Sequence, residues 1–162
     1  MGGATALFVL AALFLSGGPA QAGRELPYFA ALRNAVTNVR VGPGLGYPVH
    51  WVFHRRGWPV EVVNRFGHWR RIRDNTGEIG WIHGALLTPR RAAAIRLRGG
   101  HNVALRAAPE DKARVLAYLA ADVLVRPESC AAGWCEVEVT GHGLDGFVPQ
   151  ARLWGVYPDE SF

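Results

Sequence analysis

The sequence is poor in several residue types on which other kinds of protein depend. Its 162 residues include two cysteines, one methionine and a single lysine, Lys112. Two cysteines cannot by themselves form a four-thiolate zinc site, nor the multiple cross-links of a disulfide-built miniprotein. Charged residues make up 19% of the chain and apolar residues 49%. This balance fits a folded globular protein and excludes a long disordered chain.

Charged side chains are also absent from the first 23 residues, where residues 4–15 are almost wholly apolar. A helix over that run spans about 18 Å, short of the roughly 30 Å hydrocarbon core of a membrane. Glycine and proline follow at 17–19, and residues 20–22 (AQA) have the small-x-small pattern that a signal peptidase requires. We predict a signal peptide over residues 1–22, cleaved between Ala22 and Gly23. The alternative is a buried or amphipathic N-terminal helix.

Cleavage of this leader implies a periplasmic or otherwise secreted protein without a stable membrane anchor. The charges of the remaining chain are unevenly placed, with a balance of +9 over residues 24–98 and of −4 over residues 99–162. Such a split indicates two units rather than one uniform domain. A sequence pI of about 9.9 ordinarily suggests nucleic-acid binding, but export argues against it, so we expect no nucleic-acid partner.

An internal repeat also indicates two units. Three landmarks recur in the same order at an offset of 65 or 66 residues: 39–43 (VRVGP) with 105–109 (LRAAP), 67–72 (GHWRRI) with 132–137 (AGWCEV), and 80–82 (GWI) with 146–148 (GFV). Each unit is therefore about 65 residues long. That length is close to the lower limit for a self-sufficient core, so a small barrel is the natural candidate.

The local patterns within each unit are those of short strands. Residues 60–63 are mostly β-branched, residues 69–73 alternate apolar and charged side chains, and a turn at 65–67 separates the two runs. In the second unit we predict strands at 123–125, 135–139 and 144–149. Helix signals are few; Thr88 and Pro89 could begin a short helical linker over 88–94. These patterns predict an all-β protein of two half-open barrels.

The landmark motifs resemble those of bacterial Src-homology-3-like (SH3-like) domains. The matching segments are 38–43, 67–72 and 80–82 in the first unit, then 105–109, 133–137 and 146–148 in the second. The ending at 153–158 (LWGVYP) resembles exported tandem members of this family. The resemblance implies two small SH3-like β-barrels, at 30–89 and 99–158, joined by a linker at 90–98. It also implies a non-catalytic binding or targeting module, often at the cell wall, where some members bind peptidoglycan or its peptides.

The two cysteines, Cys130 and Cys135, flank a predicted hairpin turn at 131–134. Residues that face each other across such a turn can be close enough for a disulfide, and export places them in an oxidising compartment. We predict a structural disulfide. Free thiols, metal ligation and a redox-active pair are the alternatives, the last of which usually needs a two-residue spacing at a helix start.

The six histidines form no recognisable metal or catalytic motif. His50 and His54 are four residues apart, a spacing that places both on one metal only in a helix, whereas residues 50–54 have an extended or looped pattern. No local signature provides a Cys–His or Ser–His–Asp arrangement. We therefore predict no catalytic residue, no metal and no cofactor.

Aromatic side chains carry the binding prediction. SH3-like grooves are lined by aromatic residues, because a rigid flat ring offers a large contact area at low entropic cost. Our candidates in the first unit are Tyr47, Trp51, Trp58 and Trp69, with Arg71 to pair with carboxylates. The alternative for each aromatic residue is a place in the barrel core.

These observations predict an exported binding module of the cell envelope, with peptidoglycan or an envelope protein as its partner. In this hypothesis an aromatic groove on the first barrel holds an extended peptide while arginine side chains pair with its carboxylates. The alternative function is that of an accessory scaffold protein, which binds another envelope protein and has no affinity for the wall polymer.

Overall fold

The computed structural model describes Met1, residues 24–97 and residues 99–162. The predicted cleavage site and nearly all of the predicted signal peptide lie outside the described residues. The first unit contains seven strands: β1 (Tyr28–Leu32), β2 (Thr37–Arg40), β3 (Val49–Phe53), β4 (Pro59–Phe66), β5 (Trp69–Arg73), β6 (Ile79–His83) and β7 (Leu87–Thr88). A 3₁₀ turn at Gly84–Leu86 separates the last two strands.

The second unit repeats this arrangement. Its strands are β8 (Ala93–Ile95), β9 (Val103–Arg106), β10 (Val115–Leu119), β11 (Leu124–Ala131), β12 (Trp134–Val139), β13 (Leu144–Pro149) and β14 (Leu153–Trp154), with a 3₁₀ turn at Gln150–Arg152 before the last strand. The strand orders β3-β2-β6-β5-β4-β1-β7 and β10-β9-β13-β12-β11-β8-β14 are equivalent position by position. The predicted all-β fold of two tandem SH3-like units is confirmed.

The predicted short helix at 88–94 is wrong. Thr88 ends β7, and Ala93–Ile95 form strand β8 of the second sheet. There β8 pairs with β11 on one side and with β14 on the other. The second sheet therefore takes its first strand from the segment 90–98, where the sequence indicated a linker.

Each barrel has its own apolar core, built from equivalent positions of the repeat. Val39, Ile72 and Ile82 are fully buried in the first barrel, and their counterparts Leu105, Val137 and Val148 are fully buried in the second. The alternating pattern of the strands turns these side chains inward and their neighbours outward.

In each core two strands lie so close together that one position must be glycine. Gly80 and Gly146 begin the repeated GWI and GFV landmarks. A Cβ on Gly146 would lie 2.7 Å from the Arg106 carbonyl oxygen, and one on Gly80 would overlap the Val39 side chain. Only glycine allows β6 and β13 to cross their neighbours this closely.

The Cys130–Cys135 disulfide is present in the structure. The two residues are direct partners across the β11–β12 hairpin, with 4.1 Å between their Cα atoms, and both are buried. At the tip of this hairpin Ala132 has a φ of +51°, the same value as Gly67 at the equivalent tip of the first barrel. The cross-link therefore closes a hairpin whose turn includes a non-glycine residue in the left-handed region.

The two barrels dock through aromatic side chains. The Trp154 indole Nε1 donates a hydrogen bond of 3.0 Å to the Pro59 carbonyl oxygen. The ring of Phe29 meets that of Trp154 edge-on, with 5.0 Å between centroids, and lies 4.8 Å from that of Tyr157. Leu124 of the second sheet packs against the first core. These contacts hold the two barrels in one arrangement.

A buried carboxylate, that of Glu61, lies at this contact. Glu61 is 3% exposed. It forms an ion pair of 2.6 Å with Arg73 and accepts a hydrogen bond of 3.0 Å from the Tyr157 hydroxyl. Burial of the hydroxyl and the neighbouring Glu61 charge raise the pKa of Tyr157 well above its usual value. The neutral hydroxyl is thus the form that the docked barrels stabilise.

Reduction of the disulfide should destabilise the protein. Closure of so short a loop contributes about 2 kcal/mol in the chain-entropy treatment. Urea unfolding followed by tryptophan fluorescence should therefore show a loss of about 2 kcal/mol when dithiothreitol is added. The double variant Cys130→Ala, Cys135→Ala is the control, because its unfolding should not respond to the reductant. An unchanged wild-type midpoint in dithiothreitol contradicts the prediction.

Stability should fall above about pH 10 because of Tyr157. In the unfolded chain this hydroxyl ionises near its usual pKa of about 10, whereas the docked barrels keep it protonated to a higher pH. The stabilisation is therefore complete below about pH 10 and is lost as the pH rises toward the folded pKa. Between about pH 9 and about pH 11, the wild type should lose more unfolding free energy than Tyr157→Phe.

The exposed Tyr118 provides the matched control for this titration, since its side chain is at the surface of the second barrel. Tyr118→Phe should lose stability with pH as the wild type does. An equal loss in wild type and Tyr157→Phe contradicts the assignment.

Candidate ligand-binding face of the first barrel

Strands β2, β6 and β5 place aromatic and basic side chains side by side on the outer face of the first barrel. In the register of these strands, Trp81 lies opposite Arg40 on one side and Arg71 on the other, and Trp69 lies opposite His83. Directly opposite residues share one face of a sheet, and the inward face at this point is occupied by the buried core. We call the face formed by these five residues the aromatic–basic face.

The rings at one end of this face are in contact. Trp69 and His83 meet edge-on at 5.5 Å between centroids, a favourable geometry for aromatic pairs. The ring of His68 lies 6.0 Å from that of His83. The His83 Nδ1 accepts a hydrogen bond of 3.3 Å from the Ala85 backbone N–H, which caps the following 3₁₀ turn. His83 is thus oriented by the backbone and presents its ring to Trp69.

The loop at 41–48 folds back beside the aromatic–basic face. The Arg40 Nη1 donates a hydrogen bond of 2.6 Å to the Tyr47 carbonyl oxygen. The Tyr47 ring covers Gly42 so closely that a Cβ at that position would overlap it. Arg40 therefore holds the loop in place through this hydrogen bond.

A groove of about 230 Å³ lies between this loop and the strands. Its lining combines polar Asn38, Arg40 and His83 with apolar Val36, Leu45, Trp69 and Leu86. Leu45 is 78% exposed, and Val36, Val41, Tyr47 and Val49 are also exposed apolar side chains. A concentration of exposed apolar groups next to polar ones is typical of a binding surface.

The structure brings three of the predicted site residues to this region. Trp69 lines the groove, Tyr47 lies on the loop that borders it, and Arg71 is exposed on the same face as Trp69. Trp58 is only 6% exposed and belongs to the core of the first barrel, beneath the guanidinium of Arg55 at 5.1 Å. Trp51 is half-buried on β3 and packs on that core, with its ring edge-on to Phe53 at 6.0 Å. Neither Trp51 nor Trp58 lines the groove.

The sequence reasoning did not identify Asn38, Arg40, Leu45, Trp81 and His83 as site residues. Asn38 and Arg40 lie on β2, Trp81 and His83 lie on β6, and Leu45 lies on the loop after β2. These elements are distant in sequence, and the pairing of β2 with β6 places them together. The one available signal is the alternation of β6, in which His83, Trp81 and Ile79 share a face.

The electrostatics of the face are cationic. Among the described residues, neither Arg40 nor Arg71 has a carboxylate within ion-pair distance. Arg73, farther along β5, is paired with the buried Glu61 at 2.6 Å. The Arg71 guanidinium is therefore available to an anionic group of a ligand, and Arg40 on the other side of Trp81 adds positive charge to the face.

The second barrel keeps the scaffold of this site but changes its chemistry. The Arg106 Nη1 donates 2.9 Å to the Ala113 carbonyl oxygen, as Arg40 does to that of Tyr47. However, Ala113 replaces the tyrosine of the loop. Opposite Phe147 lies Glu136, where the first barrel has Arg71 opposite its tryptophan. The second face is therefore acidic at the position where the first is basic.

Two other features are absent from the part of the chain that the structure describes. Over residues 24–97 and 99–162, no three His, Cys, Asp or Glu side chains come together in a way that could hold a metal ion. In the same ranges there is no helix with the length and apolarity to cross a membrane.

Known proteins that are similar to this chain share little sequence identity with it. No curated protein matches the sequence. Similar solved structures include NlpC2 and NlpC1 from Trichomonas vaginalis, each 13% identical, with TM-scores of 0.37 and 0.36. The matches cover 83% and 89% of this chain and 50% of each of those chains. An NlpC/P60 family protein from Bacillus cereus is 12% identical with a TM-score of 0.34, over 78% of this chain and 55% of that one.

The chain thus spans about half the length of the solved structures that it matches. The family model of the bacterial SH3 domain matches it twice, over residues 34–89 and 99–155. These two segments make up most of the sequence, and each contains six of the seven strands of one sheet; β1 and β8 lie just before them. The chain belongs to the bacterial SH3 domain family.

Proposed function

We propose that the protein is an exported, non-catalytic binding module of the cell envelope and that its first barrel binds the peptides of peptidoglycan. Bacterial SH3 domains are cell-wall-binding modules. The observation that carries the proposal is the groove of the first barrel, which Trp69 and Leu45 line. Beside it, on the same face of β5 as Trp69, lies Arg71, whose guanidinium has no carboxylate partner among the described residues. Apolar contact and a free cation are together what an extended peptide with carboxylates requires.

The proposed roles follow from the chemistry of each side chain. Trp69 and Trp81 offer flat, rigid rings on which the extended backbone of a peptide can lie. Arg71 pairs with a peptide carboxylate in the bidentate geometry that a guanidinium favours. Arg40 is already bonded to the loop carbonyl of Tyr47, and so acts mainly to position the wall of the groove.

Export is part of the same proposal. The apolar leader with its AQA motif supports it, and so does the disulfide, because disulfides persist in oxidising compartments such as the periplasm. Peptidoglycan is accessible only to a protein outside the cytosol. The domain boundaries that we propose, 30–89 and 99–158, are those of the sequence analysis, and strand β8 at Ala93–Ile95 extends the second unit toward its N-terminus.

The second barrel is not the proposed peptide site. Its loop has Asp111 and Ala113 at the positions of Leu45 and Tyr47, and Glu136 stands where the first barrel has Arg71. A peptide that carries carboxylates is repelled by this face rather than attracted. We therefore propose that the second barrel supports the first through the docked contact.

Retention on purified peptidoglycan sacculi tests the proposal. The wild-type protein should sediment with sacculi, and Trp69→Ala and Arg71→Ala should each weaken the binding by about ten-fold, as aromatic and arginine anchors do at peptide interfaces. Trp134→Ala and Arg114→Ala are the matched controls, because Trp134 is the repeat counterpart of Trp69 and Arg114 is an exposed arginine of the second barrel. Both controls should be retained as the wild type is.

The circular dichroism and melting temperature of each variant show whether it is folded. Failure of the wild-type protein to sediment above a non-binding control protein overturns wall binding and leaves the scaffold function. In that case cross-linking in cells should identify an envelope protein instead. Equal losses in Trp69→Ala and Trp134→Ala contradict the assignment to the first barrel.

A further inference from the structure

A cleft of about 450 Å³ runs between the two barrels, away from the aromatic–basic face. Five arginines line it: Arg33, Arg56, Arg90, Arg91 and Arg126. Its lining includes no aspartate or glutamate. We call this site the arginine cleft.

Both barrels and the segment between them contribute to the arginine cleft. Arg33 follows β1 and Arg56 precedes β4 in the first barrel, whereas Arg126 lies on β11 of the second. Arg90 and Arg91 lie between β7 and β8. The cleft therefore exists only while the two barrels are docked.

Two of the arginines are held in place by their own partners. Arg91 forms an ion pair of 2.6 Å with Glu160, and its guanidinium stacks 3.5 Å above the centroid of the Phe162 ring. Arg126 is paired with Glu128 at 2.8 Å and also with Glu138. Such pairs fix the direction of a long side chain and reduce the entropy that a ligand would have to remove.

The other three arginines have no carboxylate partner among the described residues. Arg33 donates through Nη2 to the Leu87 carbonyl oxygen at 3.2 Å. The guanidiniums of Arg56 and Arg90 have no hydrogen-bond partner in that part of the chain. Positive charge is therefore concentrated in a preformed concave site without a compensating carboxylate, which favours an anionic ligand.

The protein's own carboxylates do not neutralise these three arginines. The second barrel is acidic in sequence, so its carboxylates are the obvious intramolecular partners for the arginines of the first. Those nearest the cleft, Glu128, Glu138 and Glu160, are instead engaged with Arg126 and Arg91. The excess of positive charge thus remains on Arg33, Arg56 and Arg90.

We propose that the arginine cleft binds phosphoryl groups that together carry about two or more negative charges, as in a pyrophosphate or in two neighbouring phosphodiesters. Several guanidiniums converge in the cleft, and their forked donors match the oxygens of a phosphate. A single carboxylate would balance only one of the three unpaired cations. The ligand is chemically distinct from the wall peptide proposed for the first barrel, and the two sites share no lining residue.

The shape of the cleft indicates how large a ligand it can hold. A second depression of about 450 Å³ adjoins it, bordered by Arg90, Arg91 and Arg126 together with Phe162 and Glu128. One phosphoryl group held by the shared arginines can therefore leave the rest of the ligand to extend into this depression. This arrangement suits neighbouring phosphodiesters, each with one negative charge, as found along a phosphodiester polymer of the envelope or on adjacent lipid headgroups.

Calorimetric titration of the purified protein with pyrophosphate tests the proposal. The wild type should bind pyrophosphate with an affinity that falls as salt is added, since several ion pairs form. The double variant Arg56→Gln, Arg90→Gln should bind it about 100-fold more weakly, because each lost charge-assisted hydrogen bond is worth about ten-fold. The guanidiniums of these two side chains have no hydrogen-bond or ion-pair partner over residues 24–97 and 99–162, so the variant should keep a melting temperature close to that of the wild type.

The matched control removes the same charge elsewhere. Lys112→Gln, Arg114→Gln lies on an exposed loop of the second barrel and outside the cleft. It should weaken pyrophosphate binding by less than about three-fold, as expected for a change in long-range potential alone. Equal weakening in the two double variants shows non-specific attraction and overturns the proposal, as does the absence of wild-type binding.

Two further arms distinguish the sources of the phosphate. Flotation with phosphatidylcholine vesicles, with and without phosphatidylglycerol, tests a lipid headgroup, and co-sedimentation with a glycerol-phosphate polymer tests a phosphodiester chain. Loss of either interaction in Arg56→Gln, Arg90→Gln supports the cleft and names its source. The same variant should still sediment with sacculi, so failure of this proposal is distinct from failure of the peptide site.

Discussion

The arrangement of the two barrels depends on the pairing of one buried carboxylate, that of Glu61. Glu61 lies on β4 almost without exposure, and an unpaired charge at such a position would cost several kcal/mol. Arg73 neutralises it from within the first barrel, and Tyr157 reaches it from the second. The same carboxylate therefore holds Arg73 of the basic strand β5 and joins the two barrels. The groove and the arginine cleft both rely on elements that this contact holds in place.

The two barrels share one scaffold, but their equivalent outer faces differ in the sign of the charge that they carry. The cores retain equivalent residues, and each barrel uses an arginine of its second strand to hold the following loop, Arg40 in one and Arg106 in the other. The outward positions have diverged, because a solvent-facing side chain can change without loss of packing. The exchange of Arg71 for Glu136 opposite the central aromatic residue shows how far the two faces now differ.

The sequence was sufficient to predict the fold but not the full composition of the site. The repeated landmarks contain the positions that packing constrains most, such as Val39 with Leu105 and Gly80 with Gly146, so they identify the barrels. Thr88 and Pro89 locally favour a helix start, yet pairing with β11 and β14 makes Ala93–Ile95 a strand. The groove depends on the register between β2 and β6, which no local pattern encodes. For the same reason, the sequence could not distinguish the buried Trp58 from the groove residue Trp69.

The hairpin of the second barrel shows what a covalent link permits. At the tip of the corresponding turn in the first barrel, glycine meets a left-handed backbone without cost, since it lacks a Cβ. Alanine at position 132 adopts the same φ at an expense of about 1 kcal/mol, which the neighbouring sulfur–sulfur bond can offset. Oxidation therefore supports a tip at which two residues, Ala132 and Gly133, have a left-handed backbone, where the tip of the first barrel has Gly67.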